Sequence, residues 1–146
     1  MKSRKLTDLP ERSFALVFET GDEVMSVLQR FAEENSLTAC SLRAIGAFEH
    51  AVVGYFDWEK KEYLRIPVDE QVEVLSLLGD VALDGEKPKV HLHAVLGRRD
   101  GSTVGGHLLE AFVRPTLEVI ANDAPVHLRR RFDAASGISL IDPKAS

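Results

Sequence analysis

One stretch of this chain, and one only, repeats at a helical spacing. Val24, Val27, Leu28 and Phe31 fall at i, i+3, i+4 and i+7, which lines one side of a helix with apolar groups. Asp22 and Glu23 stand at its start, where the positive end of the helix dipole favours acidic groups. Asn35 and Ser36 close it, so the spacing predicts a single prominent helix over about residues 22–34. Almost everything else reads as strand. Residues 13–18 run apolar up to Gly21, and 41–45 lead into Gly46. Residues 51–56 and 62–66 flank a hairpin tip at Trp58, Glu59, Lys60 and Lys61. Residues 72–78 form a long apolar run ending at Gly79, the pattern of a strand covered on both faces. Residues 81–83 continue to a turn at 84–88, and 116–120 and 137–141 supply two further strands. One helix on a mostly antiparallel, curved sheet is an α+β fold. Several strands are apolar on both faces, yet one helix covers only part of a sheet, so contacts between subunits are the natural cover for the rest.

A chain of 146 residues is long enough to bury a real core and reads as a single domain over 1–146. The lone Cys40 excludes an internal disulfide, and its apolar neighbours Ala39 and Leu42 point to a buried, inert thiol. The polar opening MKSRKLTDLPERS lacks the apolar centre of a secretory signal, and no apolar run is long enough to cross a bilayer. The expectation is a cytoplasmic protein with no membrane partner. A net charge of −5 weakens the case for a nucleic-acid surface, which needs clustered Lys and Arg. The basic triplet Arg129, Arg130 and Arg131 reads as a solvated segment or a set of ion-pair partners within the chain.

The chemistry is concentrated in VHLHAVLGRRDGSTVGGHL, which carries His91, His93 and His107, three of the five histidines. The stretch reads as a β-hairpin. His91 and His93 share one face of a strand because side chains alternate with period two. A three-residue loop at Arg99, Asp100 and Gly101 sets His107 across from His93 on that face, with Gly101 supplying the positive φ such a loop needs. A two-residue turn at Asp100 and Gly101 sends His107 to the other face, unless a bulge at Gly105 and Gly106 restores it. Three convergent imidazoles point to a transition metal. Zinc is the leading choice, and three protein ligands with one open position is the pattern of catalytic zinc. Surface or hydrogen-bonded imidazoles without metal are the plainer alternative.

Glu73 interrupts an apolar run. It reads either as an ion-pair partner of an arginine such as Arg43 or Arg114, or as a carboxylate that fixes a ligand histidine's tautomer. Glu118 admits the same two readings. Gly105 and Gly106 suit either a ligand-approach site or a bulge and tight packing. His50 and His127 are isolated and read as structural or exposed; Trp58 reads as a shield for a sheet face or a subunit contact. No nucleophile elbow, dinucleotide fingerprint, P-loop or CxxC pattern occurs.

In order along the chain stand GAF (46–48), GYFD (54–57), EVLSLLG (73–79), HLH (91–93), GGHL (105–108) and TLEV (116–119). This set resembles the plants-and-prokaryotes conserved domain, whose prokaryotic members are often named DNA-binding proteins with a PD1-like motif. The resemblance spans about residues 12–141. It implies an α+β domain that assembles as a homotrimer, with His91, His93 and His107 as metal ligands. Plant members add Arg-Gly-Arg-Pro segments that enter the minor groove, and this sequence has none. Two function classes follow. One is a DNA-associated or regulatory binding module braced by the metal. The other is a metal-dependent hydrolase or lyase that takes a small substrate at the open position.

Overall fold

A computed structural model describes residues 2–5 and 11–144. Residues 1 and 6–10, part of the polar opening considered above, lie outside the described residues, as do 145–146. In chain order the elements are β1 (Lys2–Lys5), β2 (Arg12–Glu19), α1 (Val24–Glu34), β3 (Ala39–Asp57), β4 (Glu62–Val68), β5 (Val72–Asp84), β6 (Lys87–Gly97), β7 (Thr103–Asp123), β8 (Arg129–Asp133) and β9 (Ile138–Ile141). All nine strands join one sheet. Antiparallel ladders link β3 to β5, β5 to β6, β6 to β7, and β7 back to β3, so these four strands close on themselves. The α+β class, the single helix and the curved antiparallel sheet are as the sequence led us to expect.

The helix starts two residues later than its spacing suggested. Glu23 stays extended at φ −87° and caps the helix, its carboxylate accepting from the backbone N–H groups of Met25 and Ser26. Asp22 is held outside because its carbonyl accepts from Val113 N–H in β7. At the far end Asn35 closes the helix, its backbone and side-chain N–H groups both donating to Phe31 O. Val24, Val27, Leu28, Phe31 and Ala32 are buried, and the helix packs against β6 and β7.

Residues 41–45 and 51–56 belong to one long strand, β3. The strand bends at Gly46, where the pairing shifts register and φ is +152°; a Cβ there would stand 2.3 Å from Thr116 O. Likewise Gly79 does not end its strand: β5 runs on to Asp84 because a glycine admits His91 O, which a Cβ would meet at 2.0 Å. Leu92 and Leu96 of β6, with Leu77, Leu108 and Leu117, are fully buried. Each such side chain contributes roughly 1.5–3 kcal/mol through burial.

Candidate metal centre

Alternation along β6 turns Val90, Leu92, Ala94 and Leu96 into the core and leaves His91, His93 and Val95 on the outer face. The hairpin turn is the three-residue form: Arg98 N–H donates to Ser102 O, and Arg99, Asp100 and Gly101 bridge them, with Gly101 at φ +84°. The ladder then runs without a bulge from Gly97 opposite Thr103 to His93 opposite His107. Gly105 and Gly106 serve close packing: a Cβ at Gly105 would lie 2.6 Å from Ala94 O, and one at Gly106 2.5 Å from Gly54 O.

The three histidines converge. Their rings lie 5.0–5.4 Å apart, centroid to centroid, and one nitrogen from each falls within 4.8 Å of the others. His91 Nε2 and His93 Nε2 face each other at 3.2 Å. Two nitrogens bound to one tetrahedral zinc at about 2.0–2.1 Å stand about 3.3 Å apart, so this pair is already spaced for an ion. His107 Nδ1 is buried with no hydrogen-bond partner, a cost that ligation through that nitrogen would remove. The residues fit a three-nitrogen metal site.

The surroundings favour the neutral form of His93 and His107. Burial, reinforced by His91, His93 and Lys89, pulls His107 down to about 4, and burial with His91 lowers His93. A metal takes only the neutral ring. Tyr63 from β4 stacks on His107 at 4.6 Å and 21° between planes. It reaches that position across Gly54, which faces both His107 on β7 and Arg65 on β4; a Cβ at Gly54 would meet Tyr63 Cδ1 at 2.9 Å. Burial raises the Tyr63 phenol above its usual value.

The carboxylate beside the histidines is Asp80, opposite His91 in the β5–β6 ladder, with Oδ2 3.6 Å from His91 Nδ1. Its other oxygen accepts from Arg130. Glu73 and Glu118, the two carboxylates weighed from sequence, are elsewhere. Glu73 is exposed in a cleft with Glu70, Arg98 and Arg99, and Glu118 in an outer groove with Arg43, Ile45 and Leu75. Neither meets a histidine, and the arginines weighed for Glu73 are engaged otherwise: Arg43 with Asn122 and Arg114 with Glu49. Asp80 escaped notice because Gly79 reads as a strand end, although the HxH pattern with a partner strand at fixed register points to whatever faces His91.

The remaining candidates are structural or exposed. His50 stacks on Phe112 at 4.7 Å, and His127 is exposed. Cys40 is buried, and burial pushes its thiol up to about 12. Trp58 is 63% exposed at the β3–β4 tip, edge-on to Phe56. The basic triplet is a set of ion-pair partners: Arg129 with Glu86, Arg130 with Asp80, Arg131 with Asp142. It forms β8, a strand the sequence did not announce. Among the described residues, no helix is long and apolar enough to cross a membrane.

The family model for the Plants and Prokaryotes Conserved (PCC) domain matches residues 7–125. A curated relative, the bifunctional protein GlmU of Synechococcus sp. (strain JA-3-3Ab), is 31% identical over 129 residues, 86% of this chain; the chain spans 20% of that protein's length. Three solved structures share the fold. The metal-containing protein of Archaeoglobus fulgidus is 37% identical at TM-score 0.83, covering 89% of this chain and 92% of its own. A plant- and prokaryote-conserved protein of Pyrococcus horikoshii is 30% identical at TM-score 0.84, with 90% and 91% covered. A candidate DNA-binding protein of Ralstonia eutropha JMP134 is 25% identical at TM-score 0.82, with 88% and 90% covered.

Proposed function

The chain belongs to the Plants and Prokaryotes Conserved domain family, and on that footing we propose that it binds a divalent transition metal, zinc foremost, through His91, His93 and His107. The observation that carries this is the convergence of three ring nitrogens within 4.8 Å, on a ladder that sets His93 directly opposite His107. The metal-containing relative from Archaeoglobus supports it. Three neutral ligands leave the ion its full charge and one position open.

The open position supports binding of a small molecule. His91 and His107 line a cavity of about 180 Å³ together with Tyr63, Val90 and Arg130, and a concave, partly apolar site beside a metal is the ordinary form of a small-ligand pocket. When bound, zinc supplies a Lewis acid and a water ionising near pH 7. The chain's own groups orient the centre: Asp80 stands on the Nδ1 side of His91, where a carboxylate favours the tautomer that leaves Nε2 for the ion, while Tyr63 stacks on the plane of His107. In this reading the protein is a metal-dependent hydrolase or lyase.

The second reading, a DNA-associated or regulatory module, has the Ralstonia relative in its favour. Against it stand the net charge of −5 and the engagement of all three arginines of the basic triplet in ion pairs. We also propose that the chain assembles as a homotrimer. Ile45, Leu75, Leu78 and Val95 are each between 44% and 62% exposed on neighbouring strands, an apolar patch of the kind that marks contact sites between proteins.

The test is metal content. Protein purified without a His tag and dialysed against zinc should hold about one ion per chain by elemental analysis. A protein that takes up none ends the metal reading. Duplex-DNA binding that weakens steeply with salt would favour the second reading over the first.

A further inference from the structure

The β8–β9 hairpin, residues 129–141, lies past the stretch that the family model matches. One end of it is tied to β5. Leu83 and Asp84 pair with Arg129 and Arg130, Leu83 N–H donates to Leu128 O at 2.8 Å, and Arg130 bonds Asp80. The other end is its turn, closed by Gly137 N–H donating to Asp133 O at 2.7 Å. That turn reaches the tip of the β3–β4 hairpin, where Lys61 Nζ donates to Ala134 O at 3.1 Å. In the order of the sheet, β5 and the β3–β4 hairpin flank β6 and β7, the strands that carry His91 and His107. Between its two anchors the hairpin places Ile138, Ser139 and Leu140 on the wall of the cavity that His91 and His107 share with Tyr63. His93 is left on the open side, in a separate hollow with Leu78, Val95 and Gly105.

The hairpin is held by polar contacts alone. Among its described residues Ser136 is the one that is buried, and none of its apolar side chains joins the core. Elements with few buried apolar contacts open locally at a lower free energy than the core. Its seated position also carries a cost, because Arg130 Nε is buried with no partner. What keeps Arg130 in place, with a side chain only 7% exposed, is Asp80.

We propose that the β8–β9 hairpin is a strap over His91 and His107 whose seating is coupled to metal occupancy through Asp80. The inference rests on the metal reading above. Asp80 accepts from Arg130 with Oδ1, while Oδ2 lies 3.6 Å from His91 Nδ1, just beyond hydrogen-bond length. With His91 Nε2 taken up by an ion, the ring's one proton is on Nδ1, facing Asp80, and is a stronger donor. The carboxylate is then held from the His91 side and stands as a fixed acceptor for Arg130, which carries β8. Coupling of this kind is reciprocal: metal steadies the strap, and the seated strap helps to retain the metal.

The test is hydrogen exchange on the full chain, metal-free and saturated with zinc, with zinc content measured by elemental analysis on the same samples. Amides of residues 129–141 should exchange at least about fivefold more slowly with zinc, the lower end of ordinary coupling between sites, while those of α1 change less. Asp80→Asn, given enough zinc to reach the same content, should lose this dependence. Arg130→Gln removes the ion pair from the hairpin's side and should leave the hairpin exchanging fast with zinc or without. With zinc bound, unchanged exchange in the wild-type hairpin, or slowing that is equal in α1, overturns the strap and leaves the metal reading standing. Full zinc dependence retained in either variant overturns the coupling through Asp80. A wild-type chain that binds no zinc overturns both readings. If a variant does not fold, as circular dichroism would show, the wild-type comparison of hairpin with α1 decides alone.

Discussion

Asp80 and His91 stand directly opposite each other across the β5–β6 ladder, and Asp80 Oδ2 lies 3.6 Å from His91 Nδ1. Because His91 Nε2 is the nitrogen that faces His93, the carboxylate sits at the back of the ring. It thus lies on the Nδ1 side of the ring and leaves Nε2 turned toward the other two histidines. Antiparallel pairing fixes this relation. A slip of one residue in either ladder would turn His91 or Asp80 to the other face.

Removing the charge at position 80 should be felt at the metal. We expect Asp80→Asn to weaken zinc binding about 10–100-fold, the range seen when carboxylate partners of ligand histidines are lost. The variant should also lose about 1–3 kcal/mol of stability, because Arg130 keeps its burial but loses its ion pair. Competition against a chelating dye gives the first number and urea unfolding of the metal-free protein the second. Zinc affinity equal to wild type would show that Asp80 does not orient His91.

His93 is the most exposed of the three rings, so His93→Ala costs little packing and should strip most of the metal while the fold stays. Leu92 and Leu96 on the inner face of the same strand continue to supply the burial. Elemental analysis beside a circular dichroism melt checks both halves. Full retention of metal in a folded variant would move the site elsewhere.

The fold was legible where one periodicity ran long enough to be read. Val24 to Phe31 announce the helix, and HxH and Gly101 announce the hairpin from Lys87 to His107, whose loop stays open in the sequence between a three-residue and a two-residue turn until the observed pairing selects the former. Reading failed where a local signal was outweighed by a distant contact. Gly46 and Gly79 look like strand ends, but each is a glycine because a neighbouring backbone passes too close for a side chain. Arg129, Arg130 and Arg131 read as a solvated run or as ion-pair partners and prove to be the latter, but which acids they meet is set by the fold, Arg130 finding one fifty positions earlier. Of the site, the three histidines were visible and their supports were not. Asp80 and Tyr63 become neighbours of the rings only through strand register and the gap at Gly54.

Acid should act on this centre in one direction. His107 is lowered to about 4 and His93 is lowered too, whereas the same rings in an unfolded chain titrate near 6.5. The folded state thus takes up fewer protons than the unfolded one between these values. The stability of the neutral rings is fully present above about pH 6.5 and is lost as pH falls toward 4. Metal binding has the same sign, since a proton competes for each ring. Urea midpoints of the metal-free protein at pH 7.5 and pH 5 should differ in favour of pH 7.5, and His107→Gln should reduce that difference. An unchanged difference in the variant would remove His107 from the account.

The stack of Tyr63 on His107 depends on a missing side chain. Gly54→Val places atoms where Tyr63 Cδ1 and Leu109 Cδ1 already lie within 2.9 and 3.1 Å of a Cβ. Tyr63 should therefore swing off His107, at a cost of about 1–3 kcal/mol for the forced repacking. Zinc affinity should drop several-fold as the His107 ring loses its fixed plane. A crystal structure of the variant with the stack intact would refute this.

The outer face predicts a change in assembly rather than in fold. Leu78 is 59% exposed, faces His93 across the β5–β6 ladder, and lies in the same apolar area as Leu75 and Val95. Water gains by covering such a patch, and a homotrimer covers it three times over. A charge placed there stays solvated in the separate chain but is desolvated in the interface. Leu78→Asp should accordingly leave the stability of the monomer within about 0.5 kcal/mol and shift light scattering from a particle of three 16.2 kDa chains to one. Zinc content then becomes informative in its own right. If all ligands come from one chain, as the convergence of His91, His93 and His107 within 4.8 Å would allow, the dissociated variant still binds about one ion per chain. A wild-type protein that scatters as a monomer at micromolar concentration would rule out the trimer and leave the exposed apolar face unexplained by self-association.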